Sequence, residues 1–195
     1  MNCPVDCPRL HYFSAWLAEL LAPVMLGAKP AEILSFQKKT STYFKDIEAL
    51  EMCRKNCTRL KITHIDCKNG TTKFFVYHSN ELNTWLSDPR NLNFLKTQGY
   101  PELYTLDGYL SVLYERLQAS DSFPHEIGVF LGYPLKDILG FMGLAKLQLT
   151  SVSKWRIYGD PRISLEKMDQ IDKARSHVAY LLKNQPAENV FRLLA

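Results

Sequence analysis

The sequence predicts an α+β fold in which a small, mainly antiparallel sheet is surrounded by helices. Three observations carry that expectation. Asn69-Gly70 lies in "KNGT" between two β-rich runs, "RLKITHIDC" and "TKFFVYH", and a type I′ hairpin turn needs positive φ at both central residues, which Asn-Gly tolerates best. On both sides of this hairpin, apolar residues recur at three- and four-residue steps, the spacing of one helix face. Later, "KWRIYG" reads as a third strand. The sheet is therefore expected to comprise a hairpin at about 59–78 and a strand at about 154–158.

Leu10, Phe13, Leu17, Leu20, Leu21 and Val24 fall on one face between Pro8 and Gly27, so a helix there should turn that face to the core. Pro23 bends or ends it, since proline lacks a backbone donor and clashes with the preceding turn. "GAKPAEILSF" reads as a helix restarting after Gly-Pro punctuation, with Pro30 in its first turn. In "TSTYFKDIEALEMCRKNC", Thr and Ser are candidate caps, and Phe44, Ile47, Leu50 and Cys53 or Cys57 have helical spacing, giving a helix from about Ser41 to Asn56.

After the hairpin come several helices with short joints. Asp88-Pro89 pairs an N-cap with proline at the first helical position, and Gly99 suits a helix terminator. Leu103, Leu106, Leu110, Leu113 and Leu117 form an apolar stripe expected in the core. "SFPHEIGVFLGYPLKDILGFMGL" reads as two short helices started by prolines. Asp160-Pro161 repeats the cap-then-proline device and opens a helix to about Leu182, and "KNQPAENVFRLLA" supplies a terminal arm. The expected organisation is one domain over 1–195 with a short N-terminal arm (1–8) and C-terminal arm (184–195), without repeats or a flexible linker.

With 195 residues, 46% of them apolar and 23% charged, the chain has a globular balance and can bury roughly 70% of the surface its unfolded form exposes. The formal charge of +4 is small and scattered. Its densest basic stretch, "RKNCTRLK", suits the solvated end of a helix, where cations favour the dipole. Without a basic groove interleaved with aromatics, no nucleic-acid partner is expected. No apolar run approaches the ~18 residues that span a bilayer, and Glu19 and Pro23 interrupt "FSAWLAELLAPVMLG". "MNCPVDCPRLHY" lacks the regions of a signal peptide, so no membrane partner and a cytoplasmic location are expected.

Cys3 and Cys7 share a C-x-x-x-C spacing with Cys53 and Cys57, so four thiolates could in principle meet around zinc or an iron-sulfur cluster. The usual C-x-x-C knuckle is missing and unrelated free thiols are the simpler reading, so no metal is assigned. Cys67 at the hairpin edge, with His64 or His78 on neighbouring strands, offers a nucleophile in principle. Alternation puts His64 and Cys67 on opposite faces, however, and no local signature surrounds any cysteine.

The glycine-rich block holds the main candidate site. Gly128 and Gly132 are four apart and so are expected on one helix face, where the bare backbone admits a close neighbour. Either another helix or the sheet packs on it, or a ligand lies over it with His125 and Glu126 at the mouth as candidate acid and base. Tyr133, Lys136 and Asp137 would complete a polar cluster. The spacing is not that of a phosphate loop, and no motif specifies a cofactor. Trp155 and Tyr158 either anchor the core, the preferred reading, or line an aromatic pocket.

Four blocks, "LAPVMLGAKPAEILSF", "FLKTQGYP", "FPHEIGVFLGYPLKDILGFM" and "KWRIYGDP", in this order from about Leu21 to Gly159, resemble the bacterial family known as domain of unknown function 3793. The resemblance implies a bacterial source of the anaerobic Gram-positive kind and a reducing cytoplasm, which favours thiols or metal ligands over disulfides. It transfers no reaction. Neither "MNCPVDCPRLHY" nor the Cys53/Cys57 pair is among its motifs. The leading expectation is an accessory protein that binds a small molecule, cofactor or protein partner near the Gly128/Gly132 face. The alternatives are a thiol- or acid/base-dependent enzyme using a cysteine with His125 or Glu126, and a structural protein whose "NVFRLLA" arm docks to another subunit.

Overall fold

The computed structural model describes residues 8–120 and 122–195, with side chains described from Tyr12 onward. Helix α1 (Pro8–Met25) leads into strand β1 (Ala31–Gln37), helix α2 (Tyr43–Asn56), and the hairpin of β2 (Leu60–Asp66) and β3 (Thr71–His78). Helices α3 (Ser79–Leu86), α4 (Pro89–Thr97) and α5 (Leu106–Ala119) follow, then the short α6 (Ile127–Phe130) and α7 (Leu135–Phe141). A second hairpin, β4 (Leu149–Val152) and β5 (Arg156–Tyr158), precedes α8 (Arg162–Leu182) and α9 (Ala187–Leu193).

The α+β class is as the sequence predicts, and so is a hairpin at Asn69-Gly70, but its turn is not type I′: only Gly70 (φ +80) takes positive φ, and Gly70 N closes a turn on Cys67 O. The sheet is also assembled differently. Its order is β1-β3-β2, all antiparallel. The third strand is β1, in the stretch read above as a restarted helix. Pro30 stands just before that strand, where its missing donor costs no ladder bond, and its carbonyl accepts from His78 N at 3.1 Å. The predicted strand at 154–158 exists as β5, yet it pairs with β4 in a separate two-stranded sheet.

Helices cover both faces of the three-stranded sheet. Phe74 and Val76 of β3, Leu34 of β1 and Leu60 of β2 join one apolar cluster with Leu17 and Leu21 of α1, Ala49 and Cys53 of α2, and Phe191 of α9. The opposite face gives Phe75, Ala31 and Ile65 to a second cluster with Leu82 and Leu86 of α3, Leu95 of α4, Leu113 of α5, and Val129 and Phe130 of α6. Successive strand residues point to opposite faces, so central β3 is buried on both. That accounts for the unbroken apolar run "FFVY", which is unusual in an antiparallel strand with one solvated side. Just before that run, buried Lys73 reaches out to donate to the carbonyls of Leu117 at 2.9 Å and Ser120 at 3.1 Å, satisfying the C-terminal end of α5.

Local signals place several boundaries correctly. Asp88 caps α4 by accepting from Arg90 N at 2.8 Å, with Pro89 behind it. Gly99 (φ +84) ends that helix. Tyr100 N donates to Leu95 O and Gly99 N to Lys96 O, the paired bonds of a Schellman terminus. Asp160 accepts from Arg162 N at 3.0 Å as α8 begins. The leucine stripe is shorter than its spacing suggests. Thr105 caps α5 through Gly108 N, so Leu103 precedes the helix and is 87% exposed while Leu110, Leu113 and Leu117 are buried.

The C-terminal segment is not a free arm. Val190 and Phe191 of α9 are fully buried in the first cluster, and α9 packs against α1, α2 and α8. Among the described residues no helix is long and apolar enough to cross a membrane. Phe191→Ala is expected to cost about 3–5 kcal/mol, the usual range for emptying a buried aromatic site. Equilibrium urea unfolding reads this directly. A midpoint equal to wild type would mean that α9 contributes nothing to the core.

Candidate functional site

A cavity of about 320 Å³ lies between the α6–α7 turn and β5. Its floor is Ile127, Gly128 and Ile138, and Phe123, Pro124 and His125 form one rim. Tyr133, Phe141 and Trp155 supply aromatic walls, with Asp137 and Arg156 beside them. A hollow of about 580 Å³ near Gly27, Lys173 and His177 is larger, but it is broad, open and without an aromatic wall. The smaller cavity has the features of a ligand site, mostly apolar walls with few polar groups.

Its architecture turns on Asp137. This buried carboxylate accepts from Lys136 Nζ (2.6 Å) and Tyr158 N (2.8 Å) on one oxygen, and from Trp155 Nε1 (2.8 Å) and Ser164 Oγ (2.6 Å) on the other. Burial pushes its pKa up, but the bonds from Lys136, Ser164, Tyr158 and Trp155 outweigh burial, so the carboxyl titrates below its ordinary value. Lys136 Nζ also donates to Tyr158 O at 2.9 Å and Ser164 Oγ at 2.8 Å, which uses all three ammonium protons. Asp137 thus fixes the Trp155 indole and joins α7 to β5 and α8. With two acceptors occupied on each oxygen, it is an anchor and not an available base.

Tyr133 stacks on Trp155, with ring centroids 4.7 Å apart and planes inclined by 20°. Burial pushes its phenol up to about 12, with Glu32 adding and Arg175 opposing, so it is neutral near pH 7. On the rim, His125 meets Phe141 edge-on at 5.1 Å. The Arg156 guanidinium lies 5.7 Å from the centre of the Phe141 ring.

Four of the seven residues singled out in the glycine-rich block, His125, Gly128, Tyr133 and Asp137, therefore surround one cavity, and Lys136 is bonded to Asp137 without lining it. Glu126 and Gly132 do not line it either. Glu126 is buried on the other side of the chain, paired with Arg116 Nη1 and 3.5 Å from Tyr100 OH, and the Arg116 guanidinium covers the Tyr100 ring at 4.7 Å. His125 and Glu126 consequently point into different environments. Gly132 falls after α6 ends, at φ +78, where Tyr133 N bonds Gly128 O and Gly132 N bonds Val129 O as a helix terminus. A Cβ on Gly132 would sit 2.4 Å from Pro30 Cδ. The two glycines share no helix face: Gly132 closes a turn against Pro30, while Gly128 faces Ile138 and the cavity. The sequence reading does not single out Phe123, Ile138, Phe141 or Arg156 for the site, and its preferred core role for Trp155 does not hold: the half-buried indole belongs to neither apolar cluster and lines the wall.

The cysteines sit elsewhere. Cys53 and Cys57 are buried free thiols. Burial pushes both thiols up, Cys53 further through the nearby Cys57, while for Cys57 backbone N–H groups of Leu60 and Arg59 oppose the shift. Their thiolates are thus disfavoured. Cys3 and Cys7 lie outside the described residues, among which no group of three or more His, Cys, Asp or Glu is placed to hold a metal. Buried Cys67 contacts the Leu117 carbonyl at 3.4 Å, whereas exposed His64 stacks on Phe74 and bonds Asp66 at 3.0 Å, so the two form no catalytic pair.

The family model described as "Protein of unknown function (DUF3793)" matches residues 17–191. That span contains the whole cavity and all four of the sequence blocks quoted above. No curated protein and no solved structure matches the chain.

Asp137→Asn is expected to destabilise the fold by about 2–3 kcal/mol near pH 7, since bonds to a charged group are worth about 1.5–3 kcal/mol each and the amide also misplaces a donor. Because the folded pKa is depressed, the wild-type advantage is present above the unfolded carboxyl value of about 3.9 and is lost as pH falls through the lower folded value. Denaturation curves across that range check it, and an advantage independent of pH would contradict the assignment. Separately, Gly132→Ala should cost more than 2 kcal/mol from combined αL strain and overlap with Pro30, roughly the sum of those two penalties. Gly128→Ala, whose Cβ would approach Ile138 at 3.1 Å, should cost less, and a reversed order in thermal melts would refute these roles.

Proposed function

The chain belongs to the DUF3793 family, whose description assigns no activity, and we propose that it is a binding protein that takes a small, mostly apolar molecule into the cavity over Gly128. The observation that carries this reading is the aromatic enclosure. Tyr133, Trp155, Phe141 and Phe123 surround a floor that Gly128 keeps open, and the Asp137 bonds hold Trp155 in its orientation. Pre-set walls lower the ordering cost of binding.

Binding is favoured over acid/base or thiol chemistry by the state of the polar groups. Asp137 is saturated, Glu126 faces Arg116, and Cys53 and Cys57 are buried with their thiolates disfavoured. No nucleophile stands beside a base at the cavity among the described residues, as covalent catalysis requires. A structural role for "NVFRLLA" as a docking arm is disfavoured because Val190 and Phe191 already fill the protein's own core, which leaves Leu193 as its one exposed large apolar side chain.

At the ~30 Å³ a water occupies in the liquid, the cavity has room for on the order of ten non-hydrogen atoms, enough for one or two fused rings. Titration with the uncharged probe 2-naphthamide should change the fluorescence of Trp155 saturably. Gly128→Val, which fills the floor beside Ile138, should weaken that binding at least tenfold, about 1.4 kcal/mol. Phe123→Ala, at a rim position 41% exposed, should weaken it less while leaving the melting temperature near wild type. Equal affinity in folded Gly128→Val would place the probe elsewhere and sink the proposal, as would the absence of any saturable signal in wild type from this probe and from its anionic counterparts 2-naphthoate and 2-naphthyl phosphate.

A further inference from the structure

Resting on the reading just given, we infer that the ligand is an aromatic oxyanion, its one or two rings held among Tyr133, Phe141 and Trp155 and its carboxylate or phosphate group held at the mouth by Arg156. The inference comes from which polar groups at the cavity remain available. Asp137 has both oxygens doubly occupied, and the indole N–H of Trp155 is spent on it. The cavity therefore presents no free carboxylate to recognise a cationic ligand.

Arg156 is different. It is exposed on β5 and lines the cavity, yet its described contact is with a ring, that of Phe141, and it takes part in none of the ion pairs found among the described residues. A guanidinium laid against an aromatic face keeps its forked donors in the ring plane direction, the arrangement suited to bidentate capture of a planar carboxylate or a phosphate. His125 also meets the Phe141 ring, edge-on at 5.1 Å, and lines the same cavity, so its imidazole is a second N–H donor at the rim. Apolar walls beneath and a cationic donor, Arg156, at the rim define a ligand with one flat apolar end and one anionic end.

The probes 2-naphthoate, 2-naphthyl phosphate and 2-naphthamide, which share a ring system and differ in charge, separate this inference from the reading beneath it. Wild type should bind naphthoate or naphthyl phosphate at least tenfold more tightly than naphthamide at low salt, and whichever anion is preferred identifies the oxyanion. Raising the ionic strength should shrink that ratio, because the mouth is exposed. In Arg156→Gln, exposed enough to fold normally, the ratio should fall to within about twofold, and Arg156→Lys should restore it only in part. If naphthamide binds as tightly as both anions, or if the preference survives Arg156→Gln, the anionic ligand class is wrong while the binding function stands. If none of the three binds, both fall.

Discussion

The carboxylate of Asp137 joins parts of the chain that nothing local in the sequence brings together. It lies on α7, takes the indole N–H of Trp155 and the backbone N–H of Tyr158 at β5, and receives the hydroxyl of Ser164 on α8. A buried charge is tolerated only when its acceptor positions are filled, and here satisfying the charge also fixes the site. The orientation of Trp155 sets where Tyr133 can stack. Gly140 contributes to the same junction, since a Cβ there would lie 2.4 Å from Tyr158 Cγ, so the approach of α7 to β5 requires glycine as much as it requires the carboxylate.

The three-stranded sheet supplies the frame against which this junction is held. Because β3 is covered on both faces, the helices divide into two groups, and α6 belongs to the group over Phe75. Its position is reinforced by Trp85, whose Nε1 donates to Val129 O at 2.7 Å, and by the contact of Gly132 with Pro30 at the start of β1. The second hairpin, by contrast, touches the rest of the protein chiefly through α7. One wall of the cavity is therefore seated on the central sheet and the other on a hairpin secured by Asp137.

What was legible in the sequence follows from how local each cause is. The Asn69-Gly70 hairpin, the Asp88-Pro89 cap and the Gly99 terminus depend on residues within a few positions of one another, and they stand where expected. Strand β1 does not: its pairing, Leu34 opposite Phe74, spans forty residues, and over so short an apolar run Pro30 serves a first helical turn and a strand start equally well. The same limit applies to the site. His125, Gly128, Tyr133 and Asp137 are close in sequence and line one cavity, while Trp155 and Arg156 come from another segment. The shared face of Gly128 and Gly132 failed for a specific reason, since spacing by four holds only within a continuous helix and α6 ends at Phe130.

The two carboxylates of the glycine-rich block show how environment, more than residue type, decides what a site can do. Glu126 and Asp137 are both buried beside a cation and would look alike as candidate acids in a list of residues. Glu126 faces Arg116 and Tyr100, away from the cavity, so its charge is compensated inside the helical layer. Asp137 reaches the cavity wall, but Lys136, a backbone amide, an indole and a hydroxyl compensate it first. Negative charge is thus neutralised internally in both places, and the positive charge of Arg156 at the mouth is not. The fold spends its carboxylates on holding the walls, which leaves the cavity with apolar surfaces for the body of a ligand and a cation for its end.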